Sequence, residues 1–529
     1  YERTIQTTGK RGSIFDRRMR EVAVSIETLS LAAYPRKIAD AQRAARTIAP
    51  LIGENGTSLA RRLASDRSFV WIKRQITPKE ARSVKSLGLE GLEFLPEHSR
   101  YYPNRTLAAQ LVGFTGIDGN GLEGIEYRFD AELAGRKGIA TVLKDAFGRG
   151  FEATADMTAN TSGNNVVLAI DGAIQHLAEK ALLQAVQRHD AKSGIAVVMD
   201  PRTGDVLALA HVPLFNPNAF GDFNRHVRRN RAVTDAFEPG STMKLFSAAA
   251  ALESGCCTPH TIFYCENGRY RIGANTVHDT KQHGWLSIQR IVKYSSNIGA
   301  VKIGETIGGE TLHATLQDFG FGRPTGIECP GETKGSLGAN KKWTTFDVAA
   351  VSFGHGLAVS AVQLTTAVAA IANGGVLMQP RAVLKVTDPR GRTIRAFPPQ
   401  TLGRAVSADT ATAVTRMMEM VLTEGGTGVE AALDGYTACG KTGTAQKIGE
   451  DGTYAQDRYV ATFAGFTPVE DPRLAILVVI DEPRGDHYGG TVAAPVFREI
   501  AQAALGYLNV RPSRLSPKLT VSKKTKGTG

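Results

Sequence analysis

The feature that most restricts the fold is the placement of strand-like segments at both ends of one long stretch. Residues 194–210 read GIAVVMD-PRTG-DVLALA, two apolar runs about a Pro/Gly turn, which predicts a β-hairpin. Three more strand candidates come only near the end, at 435–447, 459–468 and 474–481, before a helical pattern at 494–508. Because helical patterns fill the interval, we expect a mixed sheet backed by helices.

The chain divides ahead of that stretch. Its 529 residues exceed one ordinary core, so two or more domains are expected. The polar, breaker-rich segment TADMTANTSGNN at 154–165 predicts a linker. We therefore expect an N-terminal domain over 1–153, a second domain over 166–510 and a basic tail over 511–529. That tail is predicted to be a solvated, mobile end, with contact to a membrane surface as the alternative.

Composition limits the partners. The chain is 42% apolar and 22% charged, which excludes a wholly disordered protein. A net charge of +12 and a pI near 9.4 fit an anionic membrane, an acidic substrate, nucleic acid or simply a basic surface. The sequence has no Cys/His finger spacing and no basic stripe interleaved with aromatics, so we expect no nucleic-acid partner.

Membrane and cysteine signals are weak. No run of about 18 uncharged apolar residues occurs, and the most apolar stretch, 357–378, reads as a buried helix. The chain opens on Tyr1, which is compatible with removal of an upstream anchor.

Two interpretations stay open for Cys256, Cys257 and Cys265: a disulfide from Cys265 to either Cys256 or Cys257, or small buried thiols. No metal-ligand spacing follows them, so we expect no metal site.

Ser241 and Lys244 carry the first chemical signal, in EPGSTMKLFSAAAALESG at 238–255. Pro239 and Gly240 predict a turn, after which a helix begins at the serine. Residues three apart share a helix face, so the lysine amine can reach the serine hydroxyl. A serine needs a base to become a nucleophile, and a lysine serves only if its pKa falls well below about 10.4. A capping serine with an incidental lysine is the alternative.

Two later motifs favour the chemical interpretation. KYSSNIGA contains Ser295 and Asn297 in an S-x-N pattern, and ACGKTGTAQ contains the chain's one K-T-G. S-x-x-K, a serine–asparagine motif and K-T-G form the three-part signature of the serine penicillin-interacting enzymes. The first motif opens a helix, the second lies in a helical stretch and the third lies on a strand, so order and context strengthen the match.

Each motif has an expected role. Ser295 could pass a proton between Lys244 and a leaving nitrogen, while Asn297 could hold Lys244 and a substrate amide. Lys441 supplies positive charge for a carboxylate, and Gly443 lets the substrate backbone approach the strand. The hydroxyls of Thr442 and Thr444 add hydrogen bonds to that carboxylate. The backbone N–H groups of Ser241 and Thr444 are expected to form an oxyanion hole.

With these motifs in place, the chain resembles the class B penicillin-binding proteins. RGSIFDRRMREVAVS at 11–25 resembles their N-terminal motif, except that Met19 stands where a glycine is usual. RYYPNRTLAAQLVGFTGIDGNGLEGIEYRFDAELAG at 100–135 is most similar to the cell-division branch, the FtsI type. The resemblance runs from about residue 11 to about 508, leaving out the tail.

The resemblance implies a multidomain α+β fold. An elongated, non-catalytic pedestal of the dimerisation type would precede a penicillin-binding transpeptidase domain with a mostly antiparallel sheet flanked by helices. The activity would be cross-linking of peptidoglycan stem peptides ending in D-Ala-D-Ala during septal wall synthesis, through acylation of Ser241, which β-lactams also acylate. No cofactor is implied. The family carries one N-terminal membrane helix in the cytoplasmic membrane, exposes its catalytic domain in the periplasm and pairs with an FtsW-type glycosyltransferase and other division proteins.

The resemblance also implies smaller structural roles. Asp16 and Glu126 would tie the pedestal together, and His355, between two glycines, would be structural. Three alternatives remain at this stage: a D,D-carboxypeptidase or β-lactamase on the same site, a β-lactam sensor or division scaffold, and an elongation-type transpeptidase.

Overall fold

The structure is a computed structural model that describes residues 2–144, 150–151, 162–449 and 453–513. Most of the predicted linker and the tail from 514 onward lie outside the described residues. In the part of the chain that is described, no helix is long and apolar enough to cross a membrane.

The N-terminal domain packs short helices against a twisted group of strands. Its strands span Glu2–Thr8, Ile14–Phe15, Glu21–Ala33, Val70–Ile76, Leu92–Tyr101, Lys137–Lys144 and Gly150–Phe151. Its helices span Ala41–Ile52, Gly56–Leu63, Pro78–Lys85, Ala109–Val112, Gly124–Arg128 and Asp130–Leu133, with a 3₁₀ turn at Pro35–Lys37. Leu31, Ile48 and Leu59 are fully buried in the core between the first three helices and the strands.

Glu126 ties this domain together, as predicted. Its carboxylate is fully buried and accepts hydrogen bonds from Arg11 Nε at 2.7 Å and Arg100 Nε at 2.6 Å. Tyr102 adds a third donor at 3.2 Å. Two guanidinium groups on one buried carboxylate compensate its desolvation, so losing that carboxylate would leave Arg100 without its carboxylate partner and Arg11 with Asp130 alone.

The turn at Met19 differs from the expected glycine only in its side chain. Met19 adopts φ 61°, the left-handed conformation that glycine reaches without strain. Its side chain is half exposed, which gives the extra atoms room. Asp16 fixes the turn by accepting the N–H groups of Arg18 at 2.8 Å and Arg20 at 2.9 Å.

The described end of the predicted linker is packed rather than free. Asn165–Leu168 pairs in parallel with Ile14–Phe15 and antiparallel with Val383–Thr387. A Cβ on Gly12 would lie 1.8 Å from Asn164 O, so the two backbones touch there. One sheet therefore runs through both predicted domains, because an edge strand from each side finds its missing hydrogen bonds in the other.

The second domain supplies most of the remaining elements. Its strands span Asn165–Leu168, Ser193–Met199, Val206–Val212, Ile262–Tyr264, Arg269–Ile272, Asn275–His278, Trp285–Ser287, Val376–Met378, Val383–Thr387, Thr393–Ala396, Thr401–Arg404, Cys439–Ile448, Tyr454–Thr467 and Leu474–Asp481. Its helices span Gly172–Arg188, Arg225–Arg228, Arg231–Thr234, Lys244–Glu253, Ile288–Tyr294, Asn297–Asp318, Thr345–Ser352, Ala361–Ala372, Ala408–Val421, Gly489–Val492 and Ala494–Tyr507. Short 3₁₀ turns span Pro217–Asp222, Gly240–Met243, Glu266–Gly268, Asn340–Lys342 and Val429–Ala431.

Five of these strands form the predicted sheet, here called the catalytic sheet. Their order is Val206–Val212, Ser193–Met199, Leu474–Asp481, Tyr454–Thr467 and Cys439–Ile448, and every neighbouring pair is antiparallel. The mostly antiparallel sheet implied by the resemblance is confirmed, whereas the mixed sheet expected from the order of the elements is wrong for these five strands, because order along the chain does not fix strand direction. The strand Cys439–Ile448, here called the K-T-G strand, lies at one edge, where its outer backbone groups can meet a ligand.

The central strand is apolar throughout because both faces of the sheet are covered. Side chains of a strand alternate between faces, so Leu477 and Val479 enter one core while Ile476 and Val478 enter the other. Gly172–Arg188 and Ala494–Tyr507 pack on one face, and Ala361–Ala372 packs on the opposite one. Ala361–Ala372 lies within the stretch predicted as a buried helix, and Ser360 caps its start.

Candidate active site

Ser241 lies where a 3₁₀ turn, Gly240–Met243, runs into the helix Lys244–Glu253. Gly240 adopts φ 55°, and a Cβ there would stand 2.9 Å from Thr444 O. Gly354 packs against Gly240 from another side, since a Cβ added to Gly354 would lie 1.9 Å from Gly240 O. The two glycines let the serine turn sit tightly between the K-T-G strand and the loop around residue 354.

Lys244 points its amine at Ser241, as the spacing predicted. The Nζ–Oγ distance is 3.0 Å, and the lysine is 1% exposed. Burial lowers the pKa of Lys244 to about 7, while the charge of Asp279 opposes that shift. The amine is therefore neutral in a large fraction of molecules at neutral pH.

The other contacts of Lys244 decide where its lone pair points. Nζ lies 2.6 Å from the main-chain oxygen of Ser295 and 2.7 Å from Asn297 Oδ1. Both oxygens can only accept, so they take the two N–H groups of a neutral amine. The lone pair is left facing the hydroxyls of Ser241 and of Ser295, the latter at 3.1 Å. A neutral Lys244 is thus oriented to receive a hydroxyl proton.

Ser295 and Asn297 lie at a junction of two helices. Ser295 closes Ile288–Tyr294 in the left-handed conformation, φ 60°, and Asn297 opens Asn297–Asp318. Asn297 Nδ2 donates to His278 O at 2.9 Å, which turns Oδ1 towards Lys244. The bend at Ser295 is what directs both its hydroxyl and its carbonyl at one amine.

Asp279 holds this junction, and the sequence argument missed it. Its carboxylate accepts from Ser296 Oγ at 2.6 Å and from the N–H of Ile298 at 3.0 Å, with the N–H of Asn297 as a third donor. Ser296 also caps the helix by accepting from Gly299 N at 2.9 Å. The middle serine of the S-x-N motif is therefore an anchoring residue. Asp279 carries no motif of its own, so only the fold could identify it.

Lys441 completes the polar centre. It is fully buried, and its amine lies 2.9 Å from Ser295 Oγ and 3.0 Å from Thr442 O. Burial, and next the charge of Lys244, lower the pKa of Lys441 well below its ordinary value. Two amines that share one hydroxyl repel each other's charge, so the pair resists holding two protons. Ser295 is the bridge between them.

Side chains of the K-T-G strand alternate between the two faces of the sheet, and this alternation places Thr442, Gly443 and Thr444. Thr442 Oγ1 lies 2.8 Å from Thr427 Oγ1, and Thr444 Oγ1 accepts from Gly489 N at 3.2 Å. A Cβ on Gly443 would stand 2.2 Å from Thr462 Oγ1 and 2.9 Å from Pro239 O. The missing side chain at Gly443 thus makes room for the serine turn, a reason the sequence argument did not give.

The main chain of Thr444 faces the serine turn. Its carbonyl oxygen lies next to Gly240, and a strand residue directs its N–H and C=O to the same side. Its N–H consequently leaves the outer edge of the sheet on the side of Ser241. All eight predicted site residues lie around this one cleft.

Within the described residues, no group of three or more metal-ligating side chains occurs. The five cysteines all lie in the described part and are free thiols, with Cys256 exposed and the other four buried.

Comparisons with known proteins agree with this architecture. The chain matches the family described as the penicillin binding protein transpeptidase domain over residues 194–502, and the penicillin-binding protein dimerisation domain over residues 6–168. It is 37% identical over 518 residues to the probable peptidoglycan D,D-transpeptidase PenA of Neisseria meningitidis, covering 97% of this chain and 87% of that protein. For the peptidoglycan D,D-transpeptidase FtsI of Escherichia coli K12 the identity is 35% over 522 residues, covering 97% and 86%.

A solved structure shares the fold over nearly the whole length. Penicillin binding protein 3 from Mycobacterium tuberculosis, complexed with aztreonam, superposes with a TM-score of 0.75 at 29% identity, covering 96% of this chain and 98% of that one. An antiparallel sheet with a serine–lysine pair at its edge, preceded by a dimerisation-type domain, defines the penicillin-binding class. This chain belongs to the penicillin-binding protein transpeptidase family, and the predicted resemblance to class B members of the FtsI type is confirmed.

Proposed function

We propose that this protein is a serine-type peptidoglycan D,D-transpeptidase of the cell-division type. The observation that carries the proposal is the 3.0 Å contact between Lys244 Nζ and Ser241 Oγ, at a buried amine whose pKa is lowered to about 7. The FtsI relative, whose printed name includes the same activity, supports the division branch over the elongation branch.

In the first half of the reaction, Ser241 Oγ attacks the penultimate carbonyl of a stem peptide ending in D-Ala-D-Ala. Lys244 takes the serine proton through its lone pair as the oxygen–carbon bond forms. Ser295, in contact with both amines, relays that proton to the departing nitrogen of D-alanine. The N–H groups of Ser241 and Thr444 hold the developing oxyanion, where losing one donor costs about 2.7–4 kcal/mol.

Lys441 and the threonine hydroxyls bind the terminal carboxylate of the substrate. In the free site burial and the charge of Lys244 lower the pKa of Lys441, and an arriving carboxylate raises it again. Thr442 and Thr444 then supply neutral donors beside the ammonium. β-Lactams enter by the same route because their carboxylate and acyl carbon occupy matching positions.

The remaining assignments rest on the family. We propose a pedestal over residues 1–153 that docks division proteins, among them an FtsW-type glycosyltransferase, and a catalytic domain over 166–510. We further propose that the protein is held at the cytoplasmic membrane with the catalytic domain outside, where peptidoglycan is assembled. Labelling of intact spheroplasts with a membrane-impermeant fluorescent penicillin tests this orientation, since an inward-facing domain would stay unlabelled.

Intact mass after incubation with benzylpenicillin tests the acylation chemistry. The parent should gain one penicilloyl adduct, and Ser241→Ala should gain none because the variant lacks the proposed nucleophile; Ser295, the other hydroxyl in contact with Lys244, is assigned to the proton relay. Ser254→Ala is the matched control, since Ser254 is an exposed serine just past the C-terminal end of the same helix.

The lifetime of the adduct separates the enzyme classes. Slow loss is expected for a transpeptidase, whereas rapid loss with turnover of the penicillin would identify a β-lactamase. A folded parent that forms no adduct would refute the catalytic proposal and favour a scaffold role.

A further inference from the structure

Glu238, His355 and Tyr454 form a cluster beside the serine turn that the mechanism above does not use. Glu238 comes three residues before Ser241. Its carboxylate accepts from Gly356 N at 2.9 Å and lies 3.2 Å from the hydroxyl of Tyr454. His355 Nδ1 lies 3.1 Å from that hydroxyl and 3.4 Å from Glu238 Oε2.

The cluster fixes the proton on one nitrogen of His355. The single hydroxyl proton of Tyr454 goes to Glu238, because a carboxylate can only accept. The contact between His355 Nδ1 and the tyrosine oxygen must then have the imidazole as donor. Nδ1 carries the proton, and Nε2 is left with a lone pair.

Within the described residues Nε2 makes no hydrogen bond, and 23% of the His355 side chain is exposed. Burial, and next the charge of Lys244, lower the pKa of His355 to about 4, so the ring is neutral at physiological pH.

The backbone brings the ring to the nucleophile. Gly240 N donates to Gly354 O at 3.1 Å, and Phe237 pairs with Val359 through two hydrogen bonds of 3.0 and 2.9 Å. The segment 354–359 therefore runs beside 237–240, with His355 at the end nearest Ser241. The contacts of Tyr454 with Glu238 and His355 hold the three side chains together beside this segment, and burial raises the pKa values of Glu238 and Tyr454.

We propose that His355 Nε2 binds the acceptor amine in the second half of the reaction, with Glu238 and Tyr454 as its positioning residues. This rests on the proposed transpeptidase function. The ligand is the primary amine of a second stem peptide, in its neutral form. A neutral ring with a lone pair on Nε2 accepts an N–H from such an amine, whereas an imidazolium would donate to the lone pair of the amine and block its attack.

The step balances without further reagents. The acceptor ammonium loses one proton to water as it enters beside Lys244 and is held by N–H···Nε2. Its nitrogen then bonds to the acyl carbon, and the carbon–oxygen bond to Ser241 breaks. The second amine proton passes to Lys244 and from there to Ser241 Oγ, which restores the hydroxyl.

Two substitutions at His355 separate this role from a structural one. His355→Asn keeps an N–H near the position of Nδ1 but removes Nε2, while His355→Gln keeps an acceptor near Nε2 but loses the Nδ1 contact. Tyr454→Phe and Glu238→Gln weaken the positioning alone. His176→Gln, at an exposed position on Gly172–Arg188, is the matched control.

The readout is the partition of an acyl-enzyme made from a small thioester substrate between water and added D-alanine. For His355→Asn the D-alanine concentration giving half-maximal aminolysis should rise about tenfold, the worth of one hydrogen bond. Acylation by benzylpenicillin and the melting temperature should stay at parent values. His355→Gln should retain most of the aminolysis. The D-alanine concentration for half-maximal aminolysis in Tyr454→Phe should lie between the values of the parent and His355→Asn.

Opposite results overturn the proposal in distinct ways. Unchanged aminolysis in His355→Asn, with intact acylation, refutes the role of Nε2. Parent-like aminolysis in His355→Asn, together with reduced aminolysis and a lower melting temperature in His355→Gln, would assign His355 to structure alone. Failure of the parent to be acylated would instead reject the proposed function itself.

Discussion

The pKa of Lys244 makes the rate of acylation a function of pH, and its magnitude follows from the burial of the amine. Only the neutral amine can take the proton of Ser241. With a pKa of about 7, half of the molecules are competent at pH 7. A lysine at the ordinary value of 10.5 would be neutral in only about 0.03% of molecules at that pH.

The second-order rate of acylation by benzylpenicillin, followed by intact mass from about pH 5 to about pH 9, measures this fraction. We expect the rate to rise about tenfold per unit at the acid end and to level off above about pH 8. Asp279 raises the pKa of Lys244, so Asp279→Asn should move the midpoint to lower pH. The asparagine keeps one oxygen for the N–H groups of the junction.

Three results would refute the reasoning. A rate that is flat across the range would mean that Lys244 is not the titrating base. A midpoint near 10 would mean that burial does not perturb the amine. A shift to higher pH in Asp279→Asn would reverse the predicted electrostatics, and Asp222→Asn, an exposed carboxylate, should leave the midpoint in place.

Three further substitutions test the structure. Ser295→Ala should lower the acylation rate by about 100-fold or more with the fold retained, because the proton relay is lost; near-parent kinetics would remove Ser295 from the relay. Gly443→Ala should lower both the melting temperature and acylation, since its Cβ would collide with Thr462, whereas Gly221→Ala meets nothing within 4 Å and should change neither. Glu126→Gln should destabilise the N-terminal domain by about 3 kcal/mol in denaturant unfolding while acylation of the folded protein is unchanged; a neutral result would make that buried network dispensable.

Local sequence patterns correctly predicted secondary-structure elements whose type and bounds depend on residues close in sequence. Leu474–Asp481 has the predicted bounds, since a strand buried on both faces needs a continuous apolar run. The hairpin predicted over 194–210 is present, with its Pro/Gly turn between the two strands. The K-T-G strand was predicted to begin at residue 435 and begins at Cys439. The packed end of the predicted linker was missed, because the backbones of Gly163, Asn164 and Asn165 bond to segments that are distant in sequence.

The residues of the site likewise fall into those that local spacing predicted and those that only the fold identified. Ser241 and Lys244 could be paired from their spacing, since one helical turn brings them together. Asp279 and Glu238 could not be found, because each acts on segments that are remote in sequence. His355 was expected to be structural, and the open Nε2 became visible only once Tyr454 was placed beside Nδ1.

The sequence by itself determined the order of the elements and the identity of the candidate reacting groups. Tertiary structure decided their protonation and direction. Lys244 is suited to the proposed role of base because it is buried, and because Ser295 and Asn297, more than fifty positions away, occupy its N–H groups. Desolvation and lone-pair direction arise from contacts between distant segments, and no local pattern of residues encodes them.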